Sequence, residues 1–436
     1  GIFGYCTDNQ TMILSSFPHV DLWTPSILSE VLNTKGISKQ TVSRWFLQHN
    51  RYQLFSILYS KLYSPIKVKR DYDSLFFPFF GKKGWLVYGN DRNNLDRALT
   101  RITKIRDNEV MLSTVQDKMY RSFDDSKQHR RKDRLFHSIF KRLKTRLAIK
   151  LNSLDHELVE RVLHSSKPHQ KRTIRLQSLA LLIERSDTGL FMQNVRGKLK
   201  LFEKAKPGKQ PRLIGDYTCP GSLLAGFLAE IAKTVFEEKI DLDNFKSCYV
   251  SSIEPEILDK LGEDLLFDMK DQHYFFSDDS IIKIDGKFFE LDISTCDISN
   301  SSIIFKFLKF LFCGTQFEHV IDKAIKQCET DLVLQDPNNR HNSVRLAGVR
   351  PIEYSGSVLT TLLNNIASLL IGLSVYYCKA KTSDEVINAA RAVGYNITLS
   401  ERDCLEKLTF LKHSWFYDGS DFPRSFLNLG AIFRSF

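Results

Sequence analysis

The segment from His273 to Asn300, HYFFSDDSIIKIDGKFFELDISTCDISN, gathers carboxylates at the ends of short apolar runs. Tyr274, Phe275 and Phe276 lead into Ser277-Asp278-Asp279; Ile281, Ile282 and Ile284 lead into Asp285-Gly286; Phe288, Phe289 and Leu291 lead into Asp292. Acids at the ends of neighbouring strands can be aimed at one point. Two-metal phosphoryl transfer needs this arrangement, because two hard cations must bridge the attacking and the leaving oxygen. An Asp-Asp pair at a turn is on its own most often a solvated turn, so its surroundings decide.

The elements that would position these acids follow from the same pattern. Asp-Gly between alternating apolar residues predicts a two-residue hairpin turn with positive φ at both central positions. That turn fixes the register: Ile284 opposite Lys287 and, carried outward, Asp279 opposite Asp292. Directly opposed residues share a face of the sheet. A one-residue bulge would put Asp278 there instead.

Downstream, Asp292 is followed by Asp297, and Ser355-Gly356 by Thr360 and Asn364 in an S-G-x-x-x-T-x-x-x-N run. Gly356 lets backbone approach a ligand closely, and the helix that follows presents Thr360 and Asn364 one turn apart on one face. With these residues the chain resembles the viral RNA-dependent RNA polymerases. Asp292 to Asp297 is similar to their motif A, Ser355 to Asn364 to motif B, and Ser277-Asp278-Asp279 to the acid turn of motif C. No apolar strand ending in acids is readable between Asn364 and Gly394, so motif C precedes A. This C-A-B order resembles the permuted palm of birnaviruses and permutotetraviruses. Two departures stand out: Ser277 occupies a position where Gly or Ala is commoner, and Asp279 is an acid where birnavirus enzymes are expected to carry Asn.

The loop Lys204-Ala-Lys206-Pro-Gly-Lys209-Gln-Pro-Arg212-Leu-Ile214 holds cations on an extended segment, as binding a triphosphate requires. It resembles motif F, with Lys206, Lys209 and Arg212 toward the nucleotide. Gly394 to Thr398 resembles motif D and Leu408 to His413 motif E, a hairpin that grips the primer end. Counting from Gly394 puts Arg402 in the place of a proton-donating lysine, and Lys412 lies in motif E. Arginine hardly gives up a proton, so Arg402 would act by charge.

The resemblance implies an α+β right hand with an antiparallel palm sheet flanked by helices. Asp292, Asp278 and Asp279 would hold two Mg²⁺ or Mn²⁺ ions. Asp297, Ser355, Gly356, Thr360 and Asn364 would contact the nucleotide, with Asp297 and Asn364 at the ribose. Template-directed RNA synthesis follows, with RNA template, nascent strand, NTPs and other viral replication proteins as partners, in the host cytoplasm or the virion. Residues 1–125 are expected as an N-terminal extension or fingers, and 126–270 as fingers. The palm would span 271–415 with a fingers insertion near 315–352, and 416–436 would begin a truncated thumb. An RNA-binding replication protein without catalysis is the alternative. A reverse transcriptase is disfavoured by the D-x-x-x-x-D pattern.

Composition agrees with that class. The chain of 436 residues is 42% hydrophobic, enough for two or three subdomains, and its net charge of +11 suits a polyanionic partner. Eight scattered cysteines without a C-x-x-C pair favour reduced thiols over a zinc site or a disulfide frame. No apolar stretch is long enough to span a bilayer. The opening at Gly1 reads as a cut end within a longer polyprotein. Between Ser126 and Lys150, Phe136, Ile139, Phe140, Leu143 and Leu147 recur at helical spacing among basic residues, which predicts an amphipathic helix. Leu223 to Phe236 reads as a core helix, Ile303 to Phe312 as an apolar helix, and Leu332 to Ile352 as a β-hairpin. Gly36 to Trp45 is similar to half of a helix-turn-helix, although an ordinary capped helix explains it better.

Overall fold

The computed structural model describes residues 66–68, 114–123, 132–154, 197–202, 212–216, 220–300, 302–328, 332–335, 343–348, 353, 357–417, 421–428 and 432. They divide into two compact units. Elements are numbered along the chain.

The smaller unit draws on residues 1–106, 194–218 and 326–357. Its strands are β1 (Ile66–Val68), β2 (Gly197–Phe202), β3 (Arg212–Asp216), β9 (Leu332–Gln335) and β10 (Ser343–Gly348), in the spatial order β1-β10-β9-β2-β3. The expected hairpin between Leu332 and Ile352 is present, with Gln335 opposite Ser343. Phe202 pairs with Arg212, so the basic loop connects two antiparallel strands. Lys206 and Lys209 lie outside the described residues, as do Ser355, Gly356 and the helix-turn-helix-like stretch.

The larger unit is built on six strands: β4 (Ile240–Asp241), β5 (Phe245–Tyr249), β6 (Asp271–Phe276), β7 (Asp279–Ile284), β8 (Lys287–Ile293) and β11 (Ile397–Arg402). Their order is β11-β8-β7-β6-β5-β4, and all neighbours are antiparallel except β5 with β6. Its helices are α1 (Thr114–Phe123), α2 (Arg134–Asn152), α3 (Pro220–Thr234), α4 (Pro255–Phe267), α5 (Cys296–Ser299), α6 (Ser302–Phe312), α8 (Thr360–Tyr377) and α9 (Ser383–Arg391), while α7 (Glu318–Gln327) ends at its margin. This is the α+β arrangement expected, a mostly antiparallel sheet with flanking helices.

The alternation of side chains divides the sheet into two packed faces. On one, Tyr274, Ile281 and Phe288 join Leu258, Leu261 and Leu265 of α4, together with Leu405, Leu408, Phe410 and Trp415. On the other, His273, Phe275, Ile282 and Phe289 are buried. Phe275 meets Phe236 just beyond α3, and the His273 ring lies against Gly372 of α8.

The basic helix forms as its pattern predicts. Asp133 caps α2 by accepting from the N–H groups of Leu135 and Phe136, which fills orphan donors of the first turn. Phe136, Ile139, Phe140, Leu143, Leu147 and Leu151 are buried. Phe140 packs edge-on against Phe307 of α6 at 4.8 Å between ring centres, and Phe136 meets Tyr377 at the end of α8. Arg134, Lys141 and Arg142 remain exposed.

Leu408 to His413 holds the expected chain reversal in its smallest form, a single antiparallel bridge between Phe410 and His413. Leu411 and Lys412 form a two-residue turn with positive φ (51° and 66°), closed by reciprocal backbone bonds between Phe410 and His413. A longer hairpin follows it, in β12 (His413–Tyr417) and β13 (Pro423–Leu427). Trp415 anchors that hairpin: its indole N–H donates to the Leu258 carbonyl of α4 at 2.8 Å.

Candidate active site

The Asp285-Gly286 turn has positive φ at both residues (48° and 78°), as a tight Asp-Gly hairpin requires. Its register is the one the sequence predicts: Ile284 opposite Lys287 and, without a bulge, Asp279 opposite Asp292. Both aspartates are exposed, and both project from the face that carries Ile281 and Phe288 further down the sheet. On the far side of β8, Asp292 pairs with the exposed Thr398 of β11.

The turn between β6 and β7 consists of Ser277 and Asp278, since Phe276 pairs with Asp279. Asp278 is half-buried, and its carbonyl accepts from the Ile293 N–H at 3.3 Å, which holds the turn against the end of β8. Ser277 has φ 57°, the left-handed region where Gly is usual at the first position of such a turn. Helix α8 grips this residue. Asn365 Oδ1 accepts from the Ser277 N–H at 2.6 Å, Ser368 Oγ donates to the Ser277 carbonyl at 2.6 Å, and Asn364 Nδ2 donates to Ser277 Oγ at 3.3 Å.

Asn364 is buried and reaches a second element as well. Its Oδ1 accepts from Cys296 Sγ and from Asn300 Nδ2, both at 3.1 Å, and Asn300 Oδ1 accepts from the Tyr395 hydroxyl at 2.9 Å. Asp297, also buried, lies beside Cys296 in the first turn of α5. Asn364 therefore ties the acid turn to the short helix that carries Asp297. Thr360 is the first residue of α8, one turn before Asn364. Asn300, Asn365, Ser368 and Tyr395 were not legible as site residues, because each gains its role only through a partner far away in the chain.

Arg402 pairs with Glu290 of β8. Its guanidinium makes two bonds of 3.1 Å to the Glu290 carboxylate, which strengthens its hold on its proton, and Glu290 also accepts from the Thr409 N–H at 2.6 Å. Glu290 lies two residues before Asp292, so the pair links the acid-bearing strand to the segment leading into β12. Lys412 is exposed in the turn after Phe410. Arg212 is the first residue of β3, opposite Phe202.

Among the described residues, no group of three His, Cys, Asp or Glu side chains is close enough to hold a metal ion by itself. The donors present are carboxylate oxygens, the type that hard divalent cations select. Mg²⁺ is usually bound by one or two carboxylates completed by phosphate oxygens and water, so an open pair beside an acid turn fits it better than a closed cage would. Two aspartates opposed across a ladder repel, a cost that bound cations relieve.

Neither family models nor curated proteins match the chain. Among solved structures, the chain is similar to the birnavirus VP1-VP3 complex at 12% identity and a TM-score of 0.44, covering 69% of this chain and 43% of that one. It is also similar to RNA polymerase VP1 from infectious pancreatic necrosis virus at 11% identity and a TM-score of 0.38, covering 80% of this chain and 42% of the polymerase. The chain thus spans less than half the length of either. No helix among the described residues is long and apolar enough to cross a membrane.

Proposed function

We propose that the chain is an RNA-directed RNA polymerase whose palm carries motif C ahead of motif A. The observation that carries this reading is the direct opposition of Asp279 and Asp292 beside a turn that α8 holds through Asn364. Carboxylates opposed this directly repel, and nucleotidyl transfer is a use for acids held so close together.

In this reading Asp278, Asp279 and Asp292 hold two Mg²⁺ or Mn²⁺ ions, which when bound supply Lewis-acid stabilisation of the transferring phosphate. Lys206, Lys209 and Arg212 neutralise the triphosphate. Ser355 and Gly356 let backbone approach the nucleotide, and Thr360 lies on the face of α8 that carries Asn364. Asn364 and Asp297 read the ribose 2′-hydroxyl, the group that distinguishes an NTP from a dNTP. The strand 3′-hydroxyl attacks the α-phosphate and pyrophosphate leaves. Lys412 and the Leu408–His413 reversal, in the place of motif E, serve the product strand. RNA template and other viral replication proteins are the partners, in the host cytoplasm or the virion.

The test is incorporation of labelled NTPs on homopolymeric RNA. Template-dependent incorporation that prefers NTPs over dNTPs and requires a divalent cation supports the reading. RNA binding without incorporation would instead identify a non-catalytic RNA-binding protein, the alternative that the basic charge alone allows.

A further inference from the structure

The residue at the corner of the acid turn is held more tightly than a turn requires. Ser277 is bound at its N–H, its carbonyl and its hydroxyl by three residues of one helix, Asn365, Ser368 and Asn364. Each bond joins the turn to a residue 87 to 91 positions away. The groups involved are costly ones to keep in a helix core. Asn365 and Ser368 are fully buried, and among the described residues no partner reaches Asn365 Nδ2. A serine inside a helix commonly bonds back to a carbonyl of its own previous turn, but Ser368 directs its hydroxyl to Ser277. Of the buried residues of α8 after Ser368, Leu369 to Leu373 are apolar or glycine and Ser374 donates instead to the Ala389 carbonyl, so the polar side chains that reach Ser277 lie together between Asn364 and Ser368. Helix stability alone would favour alanine or leucine at both positions.

We propose that Asn365 and Ser368 are positioning residues for the acid turn. They fix the peptide planes on either side of Ser277 in a left-handed conformation that serine otherwise avoids, and so set the direction in which Asp278 and Asp279 leave the sheet. Asn364 lies on the same turn of α8, so the group that reads the sugar and the groups that aim the acids belong to one rigid element. This proposal rests on the reading of Asp278, Asp279 and Asp292 as a cation site.

The test uses the full chain with Ser368→Ala, Ser368→Cys, Ser368→Thr and Asp278→Ala. Mn²⁺ binding is followed by loss of the free-ion electron paramagnetic resonance signal, and incorporation is measured across a Mg²⁺ titration. Loss of one buried hydrogen bond to the turn weakens Mn²⁺ binding and raises the half-saturating Mg²⁺ concentration by about tenfold in Ser368→Ala, with the NTP KM at saturating Mg²⁺ unchanged. Ser368→Thr keeps the hydroxyl and restores both values, while Ser368→Cys, a weak donor, falls between. A flat series, with Asp278→Ala defective, overturns the positioning role alone. Wild-type Mn²⁺ binding in Asp278→Ala overturns the cation-site reading and the proposal with it. If Ser368→Ala fails to fold, the order of Thr, Cys and wild type decides in the same way.

Discussion

Asp279 and Asp292 stand directly opposite one another across the β7–β8 ladder, both exposed on one face of the sheet. Like charges so opposed destabilise a sheet by a few tenths to about 1 kcal/mol. In a chelator, Asp279→Asn should therefore melt at or slightly above the wild-type temperature. Added Mg²⁺ should raise the wild-type melting temperature and leave the variant unmoved, because a ligand stabilises only the state that binds it. A variant less stable than wild type in chelator would count against a cation site.

Sugar choice follows from Asn364. Asn364→Asp keeps an acceptor facing Cys296 and Asn300 but loses the donor to Ser277. We predict that Asn364→Asp, and separately Asp297→Ala, narrows the NTP-over-dNTP preference about tenfold, the effect of one lost buried hydrogen bond. Competition between NTP and dNTP measures it, and unchanged ratios in both variants would remove the two residues from ribose recognition.

Much of this arrangement was legible because local chemistry determined it. Asp285-Gly286 admits positive φ at both positions, and that one turn sets every pairing from Ile284–Lys287 to Asp279–Asp292. The 3.6-residue stripe from Phe136 to Leu147 likewise specified α2. Where partners are distant, sequence was silent. The grip of Asn365 and Ser368 on Ser277 and the pairing of Arg402 with Glu290 leave no periodic trace. The position of the Leu411-Lys412 turn left no local mark: a turn with two positive φ values usually announces itself by Gly or Asn, and here it is made by Leu and Lys in an apolar run.

Close packing gives a third prediction. A Cβ at Gly372 would lie 2.2 Å from His273 Nδ1, inside a rigid sheet–helix contact, whereas one at Gly226 would meet Val358 at an ordinary 3.5 Å. Gly372→Ala should lose about 1–3 kcal/mol of stability. Gly226→Ala, in the interior of α3, should be neutral or stabilising by up to about 1 kcal/mol. Denaturant unfolding of both variants checks the contrast, and equal effects would refute it.

His273 supplies a pH dependence. The ring is fully buried, with Nδ1 2.9 Å from Ser247 Oγ, and burial pushes its pKa down to about 3. The unfolded chain therefore binds a proton that the folded one refuses between that value and the ordinary 6.5. This contribution to stability is complete above about pH 6.5 and is lost as pH falls toward 3. Melting temperature should fall across that window in wild type and fall less steeply in His273→Gln. Parallel profiles would show that another group titrates.

Arg402 should not titrate in the reaction. Its two bonds to Glu290 favour the charged form, so Arg402→Lys should leave the alkaline limb of the pH–rate profile where it is. Movement of that limb would support a role for position 402 at the site.

The central claim is that the opposed acids and their turn perform nucleotidyl transfer. It is tested most directly by NTP incorporation on a homopolymeric RNA template with Mg²⁺ or Mn²⁺, comparing wild type with Asp278→Ala and Asp292→Ala, all checked by thermal melting. Wild type should synthesise RNA in a template-dependent way, and both folded variants should stay at the no-enzyme background. Wild-type rates in either variant would contradict it.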